Sequence, residues 1–519
     1  MMDRNKMLQQ LNEVAEWDII IIGGGATGLG AAVDAASRGY KTLLAEQEDF
    51  AKGTSSRSTK LVHGGVRYLA QGNIKLVKEA LKERGLLLKN APHVCHNLPF
   101  IIPSFHWWQK WYYAIGLNMY SLLAGKLNLG KTQLLSKKTT QQLLPAISTK
   151  NLSGGVLYHD GQFDDARLAI NLAQTAEENG AAILNYCKIT ALTKTGKRIS
   201  GVVVKDVISG KDYSLKSKAV VNATGVFTDH VMEMDDPKHQ PIVSPSQGVH
   251  IVVDNKFFPG SNALMIPKTD DGRVLFAVPW HDKVLLGTTD TPVKDVELEP
   301  KALPEEIDFI IQHANRYLNT QITYSDIKTV YAGLRPLIKV KGKKATSILP
   351  RDHTTIVSNS GLVTITGGKW TTYRTMGKTA IDNATFAGEL KKQPCVTASL
   401  RIHGYIKNWE DDDTLNMYGS DAEKIKQLMK DQPSLKEKIH DALPYTKAEV
   451  IWAIQNEMAI TVEDVLARRT RSLFLDAKAA MEAAPLVASL MAGIMHKTED
   501  WQQQQVNEFI AVSNNYLKQ

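Results

Sequence analysis

Cysteine is scarce in this 519-residue sequence: Cys95, Cys187 and Cys395 are the three it has. An odd count with no CxxC pair excludes a disulfide framework and a cysteine-based zinc site, and it points to a reducing compartment. No apolar run reaches the roughly 20 residues of a membrane-spanning helix. The stretch from Met1 to Trp17 carries charges and glutamines where a secretory signal needs an apolar core, so the chain is expected in the cytoplasm. Low-complexity tracts and fixed-period repeats are missing, which excludes a fibre, a solenoid or a coiled coil. HExxH, paired His with carboxylate spacing and P-loop motifs are missing too, so no catalytic metal is expected. With 43% hydrophobic and 22% charged residues, the chain has ordinary globular composition and length for roughly two to four domains.

Acidic residues are lacking in one long stretch. Between Arg84 and His159 there is no Asp or Glu, while Arg84, Lys89, Lys110, Lys126, Lys131, Lys137, Lys138 and Lys150 supply a charge equal to the whole-chain excess of +8. Inside it lies His106-Trp107-Trp108-Gln109-Lys110-Trp111-Tyr112-Tyr113, followed by the apolar segment Ala114 to Ala124. That is too short to span a bilayer. Clustered Trp and Tyr flanked by Lys suit a helix lying in the interface of an anionic membrane. The alternative is a buried aromatic helix with solvated lysines. A nucleic-acid surface is disfavoured, because the aromatics form one hydrophobic cluster and no RNA-binding motif is present.

What is present is a strong local motif. Asp18 to Ile22 reads as a buried strand, Gly23-Gly24-Gly25-Ala26-Thr27-Gly28 as a GxGxxG turn, Ala31 to Arg38 as a small-residue helix and Lys41 to Glu46 as a second strand. In this setting the glycines permit a tight turn, close approach to a pyrophosphate and close helix packing, with the anion at the helix N-terminus. Glu46 ends the next strand, where a carboxylate binds a ribose hydroxyl. A dinucleotide is expected; FAD or NAD stays open at this level. Mixed helices and strands continue to about residue 390, and from about Asn408 the texture turns helical.

Three more segments suit a flavin contacted from distant parts of the chain. Thr54-Ser55-Ser56-Arg57-Ser58-Thr59-Lys60 is a hydroxyl-rich loop able to bind phosphates, or else a polar surface loop. Val220-Val221-Asn222-Ala223-Thr224-Gly225 is an apolar strand ending in a small turn. Gly367-Gly368-Lys369-Trp370-Thr371-Thr372-Tyr373 is a glycine turn leading into a helix.

These motifs resemble those of the FAD-dependent, quinone-linked glycerol-3-phosphate dehydrogenases, within the D-amino-acid-oxidase-like flavoproteins. The resembling stretches are Ile19 to Gly30, Thr54 to Leu69, Asp164 to Leu168, Asn222 to Gly225, Gly287 to Asp290, Ala332 to Leu337 and Gly367 to Arg374. Glu457-Met458-Ala459 and Glu463 to Arg471 resemble the family's C-terminal cap. The resemblance implies an α/β fold: a Rossmann-like FAD-binding domain, an antiparallel-sheet substrate domain of α+β type and a C-terminal helical domain. The expected divisions are 1–105, 150–240 and 351–390 for FAD binding, 106–149 for the basic aromatic insert, 241–350 for substrate and 391–519 for the helical cap.

The reaction so implied is oxidation of sn-glycerol 3-phosphate at C2 to dihydroxyacetone phosphate, with hydride passing to FAD N5 and electrons to a membrane quinone. The expected FAD residues are Gly23, Gly25, Ala26, Thr27, Gly28, Glu46, Thr54, Ser55, Ser56, Thr59, Lys60, His63, Gly65, Ala223, Thr224, Gly225, Gly368, Lys369, Thr371 and Thr372. Arginine suits a phosphate dianion because its planar fork makes paired charge-assisted hydrogen bonds. Arg67, Arg335 and Lys369 form the expected cationic set, Arg351 is a further phosphate ligand or a partner of Asp352, and Tyr68 lines the pocket. His250 is the candidate base, since a pKa near 6.5 lets it accept a proton at neutral pH. Lys369 with a lowered pKa is the alternative. Asp164 and Asp165 are expected to be structural. Rival functions are an oxidase releasing hydrogen peroxide, an FAD-dependent amine or amino-acid oxidoreductase, and a basic nucleic-acid-binding flavoprotein. Glycerol 3-phosphate, a membrane quinone and an anionic inner membrane face are the expected partners, nucleic acid is not, and a homodimer is left open.

Overall fold

The computed structural model describes residues 2–70, 72–270, 272–339, 353–407 and 414–518, without the side chains of Arg67 and Ala70. Two sheets share the part of the chain up to about residue 370. The first runs, in spatial order, His353–Val357, Val363–Gly367, Asp212–Asn222, Trp17–Ile22, Thr42–Ala45 and Ala182–Leu184. The five strands from Val363–Gly367 onward are mutually parallel, and Cys187–Thr195 with Arg198–Asp206 extend Asp212–Asn222 as an antiparallel flap. Ile19, Ile20 and Ile21 are wholly buried because helices cover both faces of this central strand.

The second sheet has 10 strands among the described residues and is mostly antiparallel. Its long pairs are Val243–Asp254 with Ile327–Ile338, and Cys95–Ser104 with Gly154–Phe163. A parallel contact between Ala263–Ile266 and Cys95–Ser104 joins the halves. The sequence reading gave no strand at 95–104, 154–163 or 327–338. Pro99, Pro103, Gly154, Gly155, Gly161, Gly333 and Pro336 interrupt the β pattern there, and the register with neighbouring strands holds these segments extended.

The polar lead is a helix, Arg4–Glu13, capped by the Asp3 side chain, which accepts from the backbone N–H groups of Asn5 and Lys6. Met7 and Leu11, one turn apart, give it a narrow buried stripe. The aromatic segment also forms a helix, Gln109–Ala124, which is two-faced. Ala114, Leu117, Tyr120 and Ala124 are buried, while Trp107 and Trp108 just before it and Trp111, Tyr112, Ile115 and Leu122 along it are exposed, Leu122 by 80%. On the inner side Tyr120 accepts from the Gly64 backbone N–H at 2.7 Å and donates to Asp160 at 2.8 Å, and Asp160 pairs with Arg84.

Helices Ala422–Asp431, Lys447–Asn456, Ala477–Met495 and Glu499–Ser513 dominate the C-terminal region. Ala477–Met495 is long and apolar enough to cross a membrane by length and composition, which the sequence reading did not single out. Its buried residues, among them Ala480, Ala484, Val487, Ala488 and Met491, pack with Val450, Ala453 and Phe509 of neighbouring helices, so it is read as a core helix. Between these helices the π-helical turn Asp464–Arg469 carries Arg468 and Arg469 into the protein interior.

Candidate active site

A cavity of about 600 Å³ opens between the two sheets. One end is the turn after strand Trp17–Ile22. Gly23 has φ of +106°, and a Cβ at Gly28 would stand 1.8 Å from the Gly23 carbonyl oxygen, so the turn closes only with glycine at these places. Gly23, Gly25, Ala26 and Thr27 line the cavity, and Gly28 packs just behind it. The start of helix Ala26–Ser37 has no side-chain cap of its own; the Ala26 N–H donates to the Ser55 hydroxyl instead. Glu46 follows the next strand, Thr42–Ala45, and accepts from the N–H groups of Gly24 at 2.6 Å and Glu48 at 2.9 Å. Burial raises its carboxyl above the ordinary value, against those hydrogen bonds.

The hydroxyl-rich loop is divided. Thr54, Ser55 and Thr59 line the cavity. Thr54 donates to the Leu334 carbonyl at 2.6 Å, and the Thr59 hydroxyl lies 2.9 Å from His250 Nε2. Ser56 and Lys60, also expected on the cofactor, turn the other way and do not line the cavity. The Lys60 ammonium is wholly buried on Asp165 at 2.7 Å and also donates to the Ser56 carbonyl. Burial pushes its pKa down to about 7 despite Asp165. Asp164 caps helix Asp165–Glu178, and Asp165 takes Arg471 as a second cation.

His63, Tyr68 and Thr371 line the wall, and Thr371 Oγ1 accepts from the His63 N–H at 3.2 Å. Gly65, with φ of +77°, lies behind Tyr68, and buried Thr372 donates to the Lys369 carbonyl; neither borders the cavity. Ala223, Thr224, Gly225, Gly368 and Lys369 do. The Lys369 ammonium sits over the Tyr68 ring, 4.3 Å from its centroid.

His250 and Arg335 come from the adjacent antiparallel strands Val243–Asp254 and Ile327–Ile338. Arg335 lies over Gly248, where a Cβ would come within 2.2 Å of its guanidinium. It donates to the Thr288 hydroxyl and the Thr289 carbonyl at 3.0 Å each, and it faces Asp290 at 3.3 Å. His250 is 2% exposed and stacks on Tyr331 with ring centroids 5.0 Å apart. Burial first, then Arg335 and Lys60, hold its pKa well below the ordinary histidine value, so the ring is neutral at pH 7. The backbone of Arg67 lies in helix Val66–Ala70; its side chain, and the whole of Arg351, fall outside the described residues.

Sequence reasoning missed several wall residues. Arg57, paired with Glu299 at 2.6 Å, and Lys52, paired with Glu463 at 3.0 Å, both reach the cavity. Trp370 holds the Ser55 carbonyl through its indole N–H at 2.8 Å. Arg57 and Trp370 stood inside quoted motifs, so their proximity was the available signal. Lys52 carried none.

Residues 18–374 match the family described as FAD dependent oxidoreductase, and residues 382–505 match the C-terminal domain of alpha-glycerophosphate oxidase. The chain is 41% identical over 523 residues to the mitochondrial glycerol-3-phosphate dehydrogenase of Mesocricetus auratus, covering 94% of this chain and 72% of that protein. It is 38% identical over 533 residues to the corresponding enzyme of Arabidopsis thaliana, covering 94% and 84%. Among solved structures it is similar to the glycerol-3-phosphate dehydrogenase from Bacillus halodurans complexed with FAD, with a TM-score of 0.80, 29% identity, and coverage of 99% and 98%. L-alpha-glycerophosphate oxidase from Mycoplasma pneumoniae, at 18% identity and a TM-score of 0.58 over 76% of this chain and all of that one, shares the fold. The cavity suits FAD: the glycine-lined helix start would hold the diphosphate, and the Glu46 carboxylate stands beyond it. The chain thus belongs to the FAD-dependent oxidoreductases and, within them, to the glycerol-3-phosphate dehydrogenases.

Proposed function

We propose that this protein oxidises sn-glycerol 3-phosphate to dihydroxyacetone phosphate and passes the electrons to a membrane quinone. The observation that carries this reading is a single cavity walled at one end by the glycine turn and Glu46, and elsewhere by Arg335, Lys369 and a buried neutral His250. FAD, when bound, supplies the two-electron acceptor for the hydride leaving C2. Arg335 and Lys369 offer cationic donors to the substrate phosphate. His250, neutral at working pH, holds a lone pair for the C2 hydroxyl proton.

The exposed face of helix Gln109–Ala124 favours a membrane acceptor over a soluble one. We infer that it lies on an anionic bilayer surface. Its outward Trp and Tyr rings suit the headgroup level, and exposed Lys126, Lys131, Lys137 and Lys138 match lipid of negative charge. Such charge marks the cytoplasmic leaflet, where three free thiols are also at home.

The test is anaerobic mixing of the FAD-loaded protein with glycerol 3-phosphate. Loss of the flavin's visible absorbance is expected, and its persistence would exclude the substrate. Subsequent reoxidation by a quinone analogue, faster than by oxygen, is the result expected of a dehydrogenase; the reverse order would make the protein an oxidase.

A further inference from the structure

His250 has a lone pair but little access. The ring is 2% exposed, one face is covered by Tyr331, and a Cβ on Gly287 would come within 2.2 Å of its Cδ2, so the edge is packed too. Nδ1 is sealed from solvent and meets no hydrogen-bonding partner among the described residues. Nε2 alone has a polar neighbour given by the geometry, the Thr59 hydroxyl at 2.9 Å. A proton can pass to Nε2 only in the tautomer whose proton sits on Nδ1, which turns the Nε2 lone pair toward Thr59 Oγ1; that is the resting ring the relay requires.

Thr59 differs from His250 in being half-buried and on the cavity wall. Its position is fixed by its neighbours. The Ser58 N–H and hydroxyl donate to Asp165 at 3.0 and 2.7 Å, and the Ser58 carbonyl accepts from the Tyr331 hydroxyl at 3.0 Å. Tyr331 therefore stacks on the imidazole and holds the segment that presents the threonine. One ring and one carboxylate set the distance between the two groups.

We propose that Thr59 is a catalytic residue whose hydroxyl relays the substrate's C2 hydroxyl proton to His250 Nε2. This rests on the reading of His250 as the base. The substrate O–H bond breaks as its proton moves to Thr59 Oγ1, and the proton Thr59 already held moves to Nε2. The C2–H electron pair leaves as hydride to the flavin, and the C2–O bond becomes the ketone. One proton and one hydride leave the alcohol, and Thr59 ends with one proton as it began. A hydroxyl suits this task because it donates and accepts at one atom.

The experiment uses FAD-loaded enzyme and three variants, Thr59→Val, Thr59→Ser and His250→Ala. Thr59→Val keeps shape and removes the relay atom. Its FAD-to-protein absorbance ratio and its substrate affinity, read from the flavin spectral change, are expected to match the parent, while anaerobic flavin reduction slows roughly 100-fold. Thr59→Ser is expected to restore most of that rate. Thr59→Val combined with His250→Ala is expected to be no slower than His250→Ala alone, since the two act in series. A parental reduction rate in Thr59→Val, a Thr59→Ser as slow as Thr59→Val, or loss of FAD from Thr59→Val would each overturn the proposal. A parental rate in His250→Ala would instead reject His250 as the base, and failure of the parent itself to reduce would reject the substrate, so the three readings fail separately.

Discussion

Arg469 clasps Asp49 across 420 residues of chain, with its Nη1 and Nη2 donating to the two carboxylate oxygens at 2.6 and 2.9 Å. Asp49 lies just after strand Thr42–Ala45 and Glu46, so the C-terminal region grips the loop that borders the cofactor end of the cavity. Arg468 joins from beside it, bonding Asp49, Glu463 and Asp464, and Arg471 reaches the Ser56 carbonyl at 2.9 Å. All of these charges but Glu463, which is partly exposed, are buried.

Arg469→Met should therefore destabilise the holoenzyme by about 3–5 kcal/mol, because it leaves a buried carboxylate short of its counter-ion. Chemical denaturation followed by tryptophan fluorescence measures this; a loss under about 1 kcal/mol would reject the clasp as a stabilising contact. Asp49 is held below the ordinary carboxylate range by Arg469 and Arg468 against its burial, and Glu463 falls to about 2 by Arg468 and Lys52 against the same effect. Both pKa values are depressed on folding, so their contribution is present above the unfolded values of 3.8 and 4.5 and is lost as pH falls from about 5 toward 2. Acid unfolding of the parent should be steep in that window.

At the alkaline side the sign reverses. His403 bridges Glu178 at 2.5 Å and Asp421 at 2.7 Å, and these carboxylates raise its pKa to about 9 against its burial. Its contribution is complete below the unfolded value of 6.5 and disappears as pH rises through 9. His403→Gln should lower the melting temperature at pH 6 and leave it close to the parent's at pH 10. An equal loss at both pH values would assign the effect to packing.

Arg335→Ala should raise KM for glycerol 3-phosphate by roughly 10–100-fold, the worth of a charge-assisted hydrogen-bond pair, while FAD stays bound. Steady-state kinetics with a quinone analogue measure it, and an unchanged KM would remove Arg335 from phosphate binding. Arg335→Lys should recover part of the loss, since charge returns without the planar fork.

Replacing Trp111, Ile115 and Leu122 by Ser, or Lys126, Lys131, Lys137 and Lys138 by Ala, should each reduce co-sedimentation with anionic vesicles. Only the lysine set should respond strongly to salt, since its attraction is screened. Parent and variants sedimenting alike would reject the lipid surface.

How far the sequence carried depended on the reach of each interaction. The turn from Gly23 to Gly28 and the carboxylate of Glu46 were readable because they lie within one strand–turn–helix unit, which local spacing determines. Arg335 and His250 needed the resemblance of their motifs; what puts them on one wall is the pairing of Ser246 with Arg335 across two strands about 80 residues apart, which no local pattern encodes. That Lys60 turns from the cavity to Asp165, 105 residues on, is likewise not encoded locally. Thr59 was counted as a cofactor residue since a hydroxyl in such a loop shows its chemistry in the sequence but not its neighbour.

The inner face of helix Gln109–Ala124 has a mechanical consequence. Tyr120 fastens this helix to the amide of Gly64, whose neighbour His63 is part of the cavity wall, and a Cβ on Gly64 would meet the Tyr120 hydroxyl at 2.6 Å. With so little slack, a tilt of the helix is transmitted to the wall as displacement. Helix and cavity wall are in that sense one rigid lever.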